Sequence, residues 1–422
     1  MKKLIYLIVI IFAVVFTSIR TCRKFQSTEE TAASTTQTPQ KPIDLSLQRR
    51  SDSLLAAMPP VGSLGLCLYD ITAQRVIYSY NENIQKRPAS CMKVLTCVAA
   101  LSTLGPNYEY KTRLYTTGKV VADTLTGDII LKTQFDPAFN RDSLIILLGA
   151  IKQKGIKAIK GKVVMDVAFT APMEHEMHWT PGDLKKRHVG LLYQGYPRLR
   201  TEVLYAMHSA AGISIRKEDI VFGRLDYKAS TLLAQITTPI HVPVEKALKN
   251  SSNFNAESLL YPLGYTISHK GNYRINGTKA LRKFISQKLK LDPTSCANIE
   301  DGCGLCPDDK MTPSLLIALL TYSQSKSSIY REVQEDLPLS GTDGTLYDRL
   351  RKPNVVGKIK AKTGTLTREG GISTLAGYFT GADGHQVAFA IMNNECPVMD
   401  GRWWQDKFLE RAVFPKSKTN AK

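Results

Sequence analysis

The sequence predicts an α+β protein: an antiparallel sheet flanked by helices, with a β-rich segment inserted into it. Three observations carry this expectation. After residue 43 the chain opens as helix, hairpin, helix; its carboxy-terminal part reads as three strands closed by a helix; and between Tyr108 and Tyr227 strand-like runs dominate. With 422 residues, 43% of them hydrophobic, the chain can bury a large core, and its length suits two or three domains.

Met1-Lys2-Lys3 followed by the apolar run from Leu4 to Ile19 has the layout of a secretory signal or an uncleaved anchor, and residues 1–22 are assigned to it. Cys22 adds a lipidated terminus to the alternatives, although Arg20 and Thr21 stand where small apolar residues are usual. Export to the periplasm or envelope follows from each form, with membrane association through the amino terminus left open. Residues 23–43 read as a flexible tether, because the stretch 26–42 holds almost no large apolar side chain to offset the entropy of ordering.

Residues 43–58 have the spacing of an amphipathic helix that ends before Pro59-Pro60. Residues 65–70 and 75–80 are β-rich runs around a short turn, an antiparallel pair. Pro88 suits a helix entry, and Val94, Leu95, Cys97, Val98 and Leu101 continue an apolar stripe until Gly105. In the insertion, 111–115, 127–131 and 161–165 look like strands, with a helix over 142–154. Helical periodicity is expected over 232–249, broken at its start by Pro239 and Pro243, and then over 251–260, 278–289 and 312–323. Residues 301–306 form a glycine-bearing turn and 337–346 a loop leading into a short helix. Residues 356–365, 373–379 and 386–392 read as an antiparallel meander, with a helix over 403–413 to cover one face. The expected domains are thus 44–107 together with 228–415, the insertion 108–227, and a basic tail 416–422.

The net charge of +19 does not make a nucleic-acid partner: the basic residues are spread along the chain and no base-stacking motif accompanies them. Attraction to an anionic envelope polymer or membrane surface accounts for it, as does a generally solvated basic surface. Eight cysteines are too sparse for a disulfide scaffold. Cys303-x-x-Cys306 has no second pair at metal spacing, so small buried residues or one disulfide are expected there. The seven histidines form no cluster in the sequence, and neither metal nor cofactor is expected.

Chemistry concentrates in three motifs in fixed order: Ser90-x-x-Lys93, Ser251-x-Asn253 and Lys362-Thr363-Gly364. Ser90 and Lys93 lie one helical turn apart, which brings a hydroxyl nucleophile and a base together. Alone, a Ser-x-x-Lys arises about twice by chance in a chain this long. The ordered triple is the pattern of penicillin-binding proteins and β-lactamases. It supplies what acyl transfer requires. Ser90 attacks a carbonyl, Lys93 takes its proton, Ser251 passes a proton to the leaving amine, and Asn253 orients Lys93. Lys362 docks a substrate carboxylate with the hydroxyls of Thr363 and Thr365, Gly364 lets substrate approach the strand edge, and the N–H groups of Ser90 and Thr365 receive the oxyanion.

Over about residues 45–415 the chain also resembles the class C low-molecular-mass penicillin-binding proteins, the D-alanyl-D-alanine carboxypeptidase/endopeptidase family of penicillin-binding protein 4. The resemblance includes Gly127-Asp-Ile-Ile-Leu131 with Asp136-Pro137, Gly161-Lys-Val-Val-Met-Asp166 with Phe169 and Trp179, Asn253 with Ala256-Glu257, Asp301-Gly-x-Gly-Leu305, Gly341-x-Asp-Gly-Thr-Leu346 and Lys362-Thr-Gly-Thr365. It implies a penicillin-recognising serine transpeptidase/β-lactamase-like fold whose site lies between sheet and helical subdomain. It implies D,D-carboxypeptidase or D,D-endopeptidase activity on peptidoglycan stem peptides, β-lactams as covalent inhibitors, and no cofactor. By the same resemblance Asp166 is the candidate to hold the amino group of a diaminopimelyl side chain. Two departures stand out: Cys303, Cys306 and Pro307 replace a hydroxyl pair and an arginine near the cleft, and residues 193–216 do not follow the family's usual text. A β-lactamase is the near rival, without an assignable deacylation motif. A non-catalytic peptidoglycan-binding protein is the rival from another class, and it would be marked by loss of Ser90 or Lys93.

Overall fold

Side-chain size, more than polarity, alternates along the central strands. In 387–392, Val387, Phe389 and Ile391 point to one side and Ala388, Ala390 and Met392 to the other, all buried. A strand buried on both faces reads as one continuous apolar run, and the small side marks where a helix can approach closely.

The structure, a computed structural model, describes residues 45–174, 177–179, 189–368 and 370–415. In chain order these form α1 (Ser46–Ala57), β1 (Ser63–Asp70), β2 (Arg75–Tyr80), a 3-10 turn (Ala89–Cys91) running into α2 (Met92–Leu104), β3 (Glu109–Thr117), β4 (Ile129–Lys132), α3 (Arg141–Gln153), β5 (Val163–Asp166), α4 (Tyr196–Ala206), β6 (Ile220–Phe222) and β7 (Ser230–Pro239). Then follow α5 (His241–Leu248), α6 (Asn253–Ile267), α7 (Tyr273–Phe284), α8 (Pro313–Gln324), α9 (Ser327–Asp336), β8 (Ile359–Leu366), β9 (Ile372–Thr380), β10 (Gln386–Asn394) and α10 (Val398–Phe408). Shorter strand pairs decorate the loops.

The central sheet has the order β8-β9-β10-β1-β2 and is antiparallel throughout, so the expected meander and hairpin join through β1 and β10. Its large-residue face, with Leu64, Leu66, Leu68, Leu375, Phe389 and Ile391, packs with Leu47 and Leu54 of α1 and Trp404 and Phe408 of α10. Its small-residue face joins the larger core that contains α2, α6 and α8. This arrangement confirms the α+β expectation.

The second sheet has the order β7-β3-β4-β5-β6, antiparallel from β7 to β4 and parallel beyond. Here one expectation fails. The stretch 232–249 is not one helix: 230–239 is a strand paired along β3, and only 241–248 is helical. Thr231, Ile236, Thr237 and Thr238 are β-branched, and pairing with β3 outweighs the helical spacing of the leucines. The expected boundary at 227 therefore falls just before a strand of the inserted sheet. Helix α9 was not anticipated either; its amphipathic face has only Ile329 and Val333 as buried apolar residues. The seven cysteines among the described residues are buried and none is in a disulfide, so Cys303 and Cys306 are not bridged. The expected signal or anchor, the tether, Cys22 and the basic tail lie outside the described residues, and no described helix is long and apolar enough to cross a membrane.

Phe389 is fully buried in β10. Phe389→Ala should lower stability by about 3–5 kcal/mol, read as an earlier midpoint in urea unfolding.

Candidate active site

Two non-glycine residues with left-handed backbone flank the chemistry: Ala89, φ 45°, precedes Ser90, and Ser251, φ 56°, opens the second motif. Each such residue costs about 1–3 kcal/mol and persists only where its surroundings fix it. At Ser251 the fixing group is its neighbour. Ser252 caps α6 by accepting from the Asn255 N–H, which leaves Ser251 and Asn253 on either side to face the lysines. The second motif is thus a helix cap and a site at once.

Lys93 is fully buried in the first turn of α2. Its Nζ lies 2.7 Å from Ser90 Oγ, 2.9 Å from Asn253 Oδ1 and 2.7 Å from the Cys303 carbonyl. Burial lowers its pKa, against an upward pull from the carboxyl groups of Asp301 and Glu257. As a neutral amine Lys93 keeps two N–H donors, which Asn253 and Cys303 accept, so its lone pair is aimed at the Ser90 hydroxyl. That is the geometry of a general base beside its nucleophile.

The Cys303 carbonyl is held by a network of carboxyl groups. Buried Asp301 accepts from the N–H groups of Cys303 (2.9 Å), Gly304, Leu305 (3.0 Å) and Cys306 (2.9 Å). Glu257 accepts from Arg274 (3.0 Å) and from Gly302 N–H, and Thr96 of α2 donates to the Gly302 carbonyl at 2.7 Å. Burial, then the charge of Asp301, pushes the Glu257 carboxyl up to about 7 despite Arg274. Burial also raises the thiols of Cys91 and Cys303, which keeps both neutral beside the serine.

Lys362 is also fully buried, with its Nζ 2.8 Å from Ser251 Oγ and 2.8 Å from the Thr363 carbonyl. Burial, then repulsion from Lys93, brings its pKa down to about 7. Strand β8 is an edge strand, and Ala361 N–H points away from β9 to the Pro338 carbonyl. By the period of two, the N–H groups of Thr363 and Thr365 face the same open edge. Gly364 has a different use from the one expected. A Cβ there would meet Thr374 Oγ1 at 2.1 Å and the Pro88 carbonyl at 2.6 Å, so glycine lets the strand approach the turn that carries Ser90. Thr374 ties the two together by donating to Pro88 O at 2.7 Å. A cleft continues past Thr365 between Leu305, Pro307, Arg368 and Arg87.

The sequence profile of the D-Ala-D-Ala carboxypeptidase 3 (S13) family matches residues 47–190 and 197–411. The chain belongs to the S13 family. D-alanyl-D-alanine carboxypeptidase DacB of Haemophilus influenzae is 24% identical over 424 residues, covering 81% of this chain and 87% of that one. The D-alanyl-D-alanine carboxypeptidase of Actinomadura sp. is 22% identical over 434 residues, covering 78% and 77%. Penicillin-binding protein 4 of Haemophilus influenzae has the same fold, with a TM-score of 0.68 at 22% identity over 81% of this chain and 92% of that one. The predatory endopeptidase Bd3459 of Bdellovibrio bacteriovorus reaches 0.54 at 19% identity over 78% and 85%.

Against this S13 frame the structure brings together Ser90, Lys93, Ser251, Asn253, Lys362 and Thr363, but not Asp166. Strand register sets Lys132 directly beside Asp166, and the carboxylate accepts from Lys132 (2.7 Å), Arg224 (2.9 Å) and the Leu225 N–H (3.0 Å). Burial opposes its ionisation, yet these donors hold it below the usual carboxylate range. It lines a cavity with Tyr265 and Tyr273, and in this structure its carboxylate is engaged in an internal ion cluster. The hydroxyl of Thr365 accepts from Arg402 at 2.9 Å, and that of Thr363 donates to Thr345 at 2.7 Å. The sequence reading missed Arg402 and the Cys303 carbonyl as site groups, and no motif marks either.

Gly364→Ala should slow β-lactam acylation of Ser90 by about a hundredfold, because the added methyl displaces Ser90 from β8. Adduct formation followed by mass spectrometry measures it.

Proposed function

We propose that Ser90 attacks the carbonyl of the penultimate D-alanine in a peptidoglycan stem peptide. The chain is a serine D,D-carboxypeptidase/endopeptidase, and the contact that carries the mechanism is the 2.7 Å approach of Lys93 Nζ to Ser90 Oγ.

In the first half-reaction Lys93 takes the hydroxyl proton as Ser90 Oγ bonds to the carbonyl carbon. The developing oxyanion is received by the N–H groups of Ser90 and Thr365. Ser251, whose oxygen accepts from Lys362, gives its proton to the leaving nitrogen as the amide bond breaks, and the proton that Lys93 took from Ser90 replaces it, so Ser251 is a hydroxyl again and Lys93 a neutral amine. The products are a Ser90 ester and free D-alanine, or the second strand where a cross-link is cut. Neutral Lys93 then takes a proton from water as it attacks the ester, and gives that proton to Ser90 Oγ as the ester bond breaks. Lys362 and the hydroxyls at the edge of β8 dock the terminal carboxylate. β-Lactams enter the same path, because their strained amide takes the place of the scissile bond; the Haemophilus influenzae relative has been solved with one. The apolar run at residues 4–19 supports export to the envelope.

Mass spectrometry after benzylpenicillin treatment should show one adduct on wild type and none on Ser90→Ala; an adduct on the variant would refute the assignment. An adduct that turns over in seconds would mark a β-lactamase instead. Lys93→Ala should acylate about 10²–10⁴-fold more slowly.

The acylation rate constant, kcat/KM, should be bell-shaped in pH. Lys93 must be neutral, so the rate falls on the acid side as it gains a proton. Lys362 must be charged, so the rate falls as pH rises through about 7. Lys362→Ala should lose the alkaline limb, and persistence of that limb would show that another group titrates there.

A further inference from the structure

Away from the catalytic centre, α5 and α9 bring three ligand-type side chains to one point. His241 is the first residue of α5, and Glu332 and Asp336 lie one turn apart on α9. His241 Nδ1 is 2.8 Å from Glu332 Oε2 and 3.5 Å from Asp336 Oδ2, and the three atoms lie within 4.8 Å of one another. A tetrahedral ion with bonds of about 2.0–2.2 Å needs ligand atoms about 3.3–3.6 Å apart; the His241–Asp336 pair already has that spacing, and the His241–Glu332 hydrogen bond would open by less than about 1 Å to admit the ion.

A second observation separates this cluster from an ordinary surface ion pair. The Asp336 side chain is only 4% exposed, and its Oδ2 makes no hydrogen bond while facing His241. A buried carboxylate oxygen whose one polar partner among the described residues is an imidazole at 3.5 Å is under-satisfied, and a bound cation would complete it. Glu245, one turn after His241, adds further negative charge that acts on both His241 and Asp336. Lys249, at the other end of α5, is spent on Asp343 and the carbonyls of Glu335 and Leu337. The His241 side chain is 41% exposed and that of Glu332 14%, so solvent reaches the open side of the cluster and can supply a fourth ligand.

The geometry points to a divalent metal site of the zinc class, held by His241 Nδ1, Glu332 and Asp336 with water completing the shell. One imidazole and two carboxylates suit zinc, whereas an all-oxygen shell would favour magnesium or calcium. The site stands outside the acyl-transfer chemistry and takes no part in it. Its effect is mechanical: α5 runs directly into Ser251, and α9 runs into Pro338, whose carbonyl holds Ala361 of β8. An ion clamping the two helices braces the supports of the second and third motifs together.

Full-length protein stripped with EDTA and titrated with zinc sulfate in a calorimeter tests this. We expect one equivalent bound, a rise in Tm with zinc, and at least about a tenfold loss of affinity in His241→Ala and in Asp336→Asn. His241 is half-exposed, so its variant should keep the wild-type near-ultraviolet circular dichroism, and it decides alone if Asp336→Asn fails to fold. No saturable zinc binding, or binding that His241→Ala leaves unchanged, overturns the site.

Discussion

Three parts of the chain distant in sequence meet on one nitrogen. Lys93 Nζ touches Ser90 of the helix start, Asn253 of the second motif and the carbonyl of Cys303 in the glycine turn, all within 2.9 Å and with no solvent exposure of the lysine. Burying an amine this completely is costly unless every polar contact is made. Each partner must therefore be held by its own scaffold. Ser90 is held by the packing of its turn against Gly364 and Thr374, Asn253 by the Ser252 cap of α6, and Cys303 by the carboxylate of Asp301. The fold around the site is largely the set of contacts that fix these three partners.

Two of these supports hold strained backbone. Ala89 and Ser251 adopt left-handed backbone immediately before and within the reacting motifs, and the Ala89 carbonyl is so close to Gly304 that a Cβ there would meet it at 1.9 Å. Glycine at 304 is required by positive φ as well as by contact. The turn from 301 to 306 thus presses on the residue before the nucleophile while its Cys303 carbonyl holds the base. The substitution of cysteines at 303 and 306 leaves this function intact, because the turn is organised by backbone N–H groups converging on Asp301 and not by side-chain hydroxyls.

What could be read from the sequence follows the same division. The three motifs were legible because their chemistry resides in side chains at fixed spacing, and the central sheet because its apolar runs are long. Cys303 was invisible as a site residue because its contribution is a carbonyl, which every residue has. The strand 230–239 was misread as helix because its leucines and isoleucine mimic helical spacing, and only its partner β3, more than a hundred residues earlier, decides the matter. Asp166 was assigned to the cleft through family resemblance; the register that sets Lys132 beside it belongs to a parallel pairing that no local pattern reveals.

Lys93 and Lys362, the two lysines of the site, explain why the terminal carboxylate matters beyond binding. Burial depresses both, and the charge of Lys93 is the second cause that lowers Lys362. Two amines competing in one desolvated site favour states with a single proton between them. A carboxylate arriving at the edge of β8 stabilises that proton on Lys362, the nearer amine, and leaves Lys93 neutral with its lone pair on Ser90. In the proposed mechanism the group that identifies a peptide terminus therefore also sets the protonation state that the base requires, so recognition and activation are one electrostatic event.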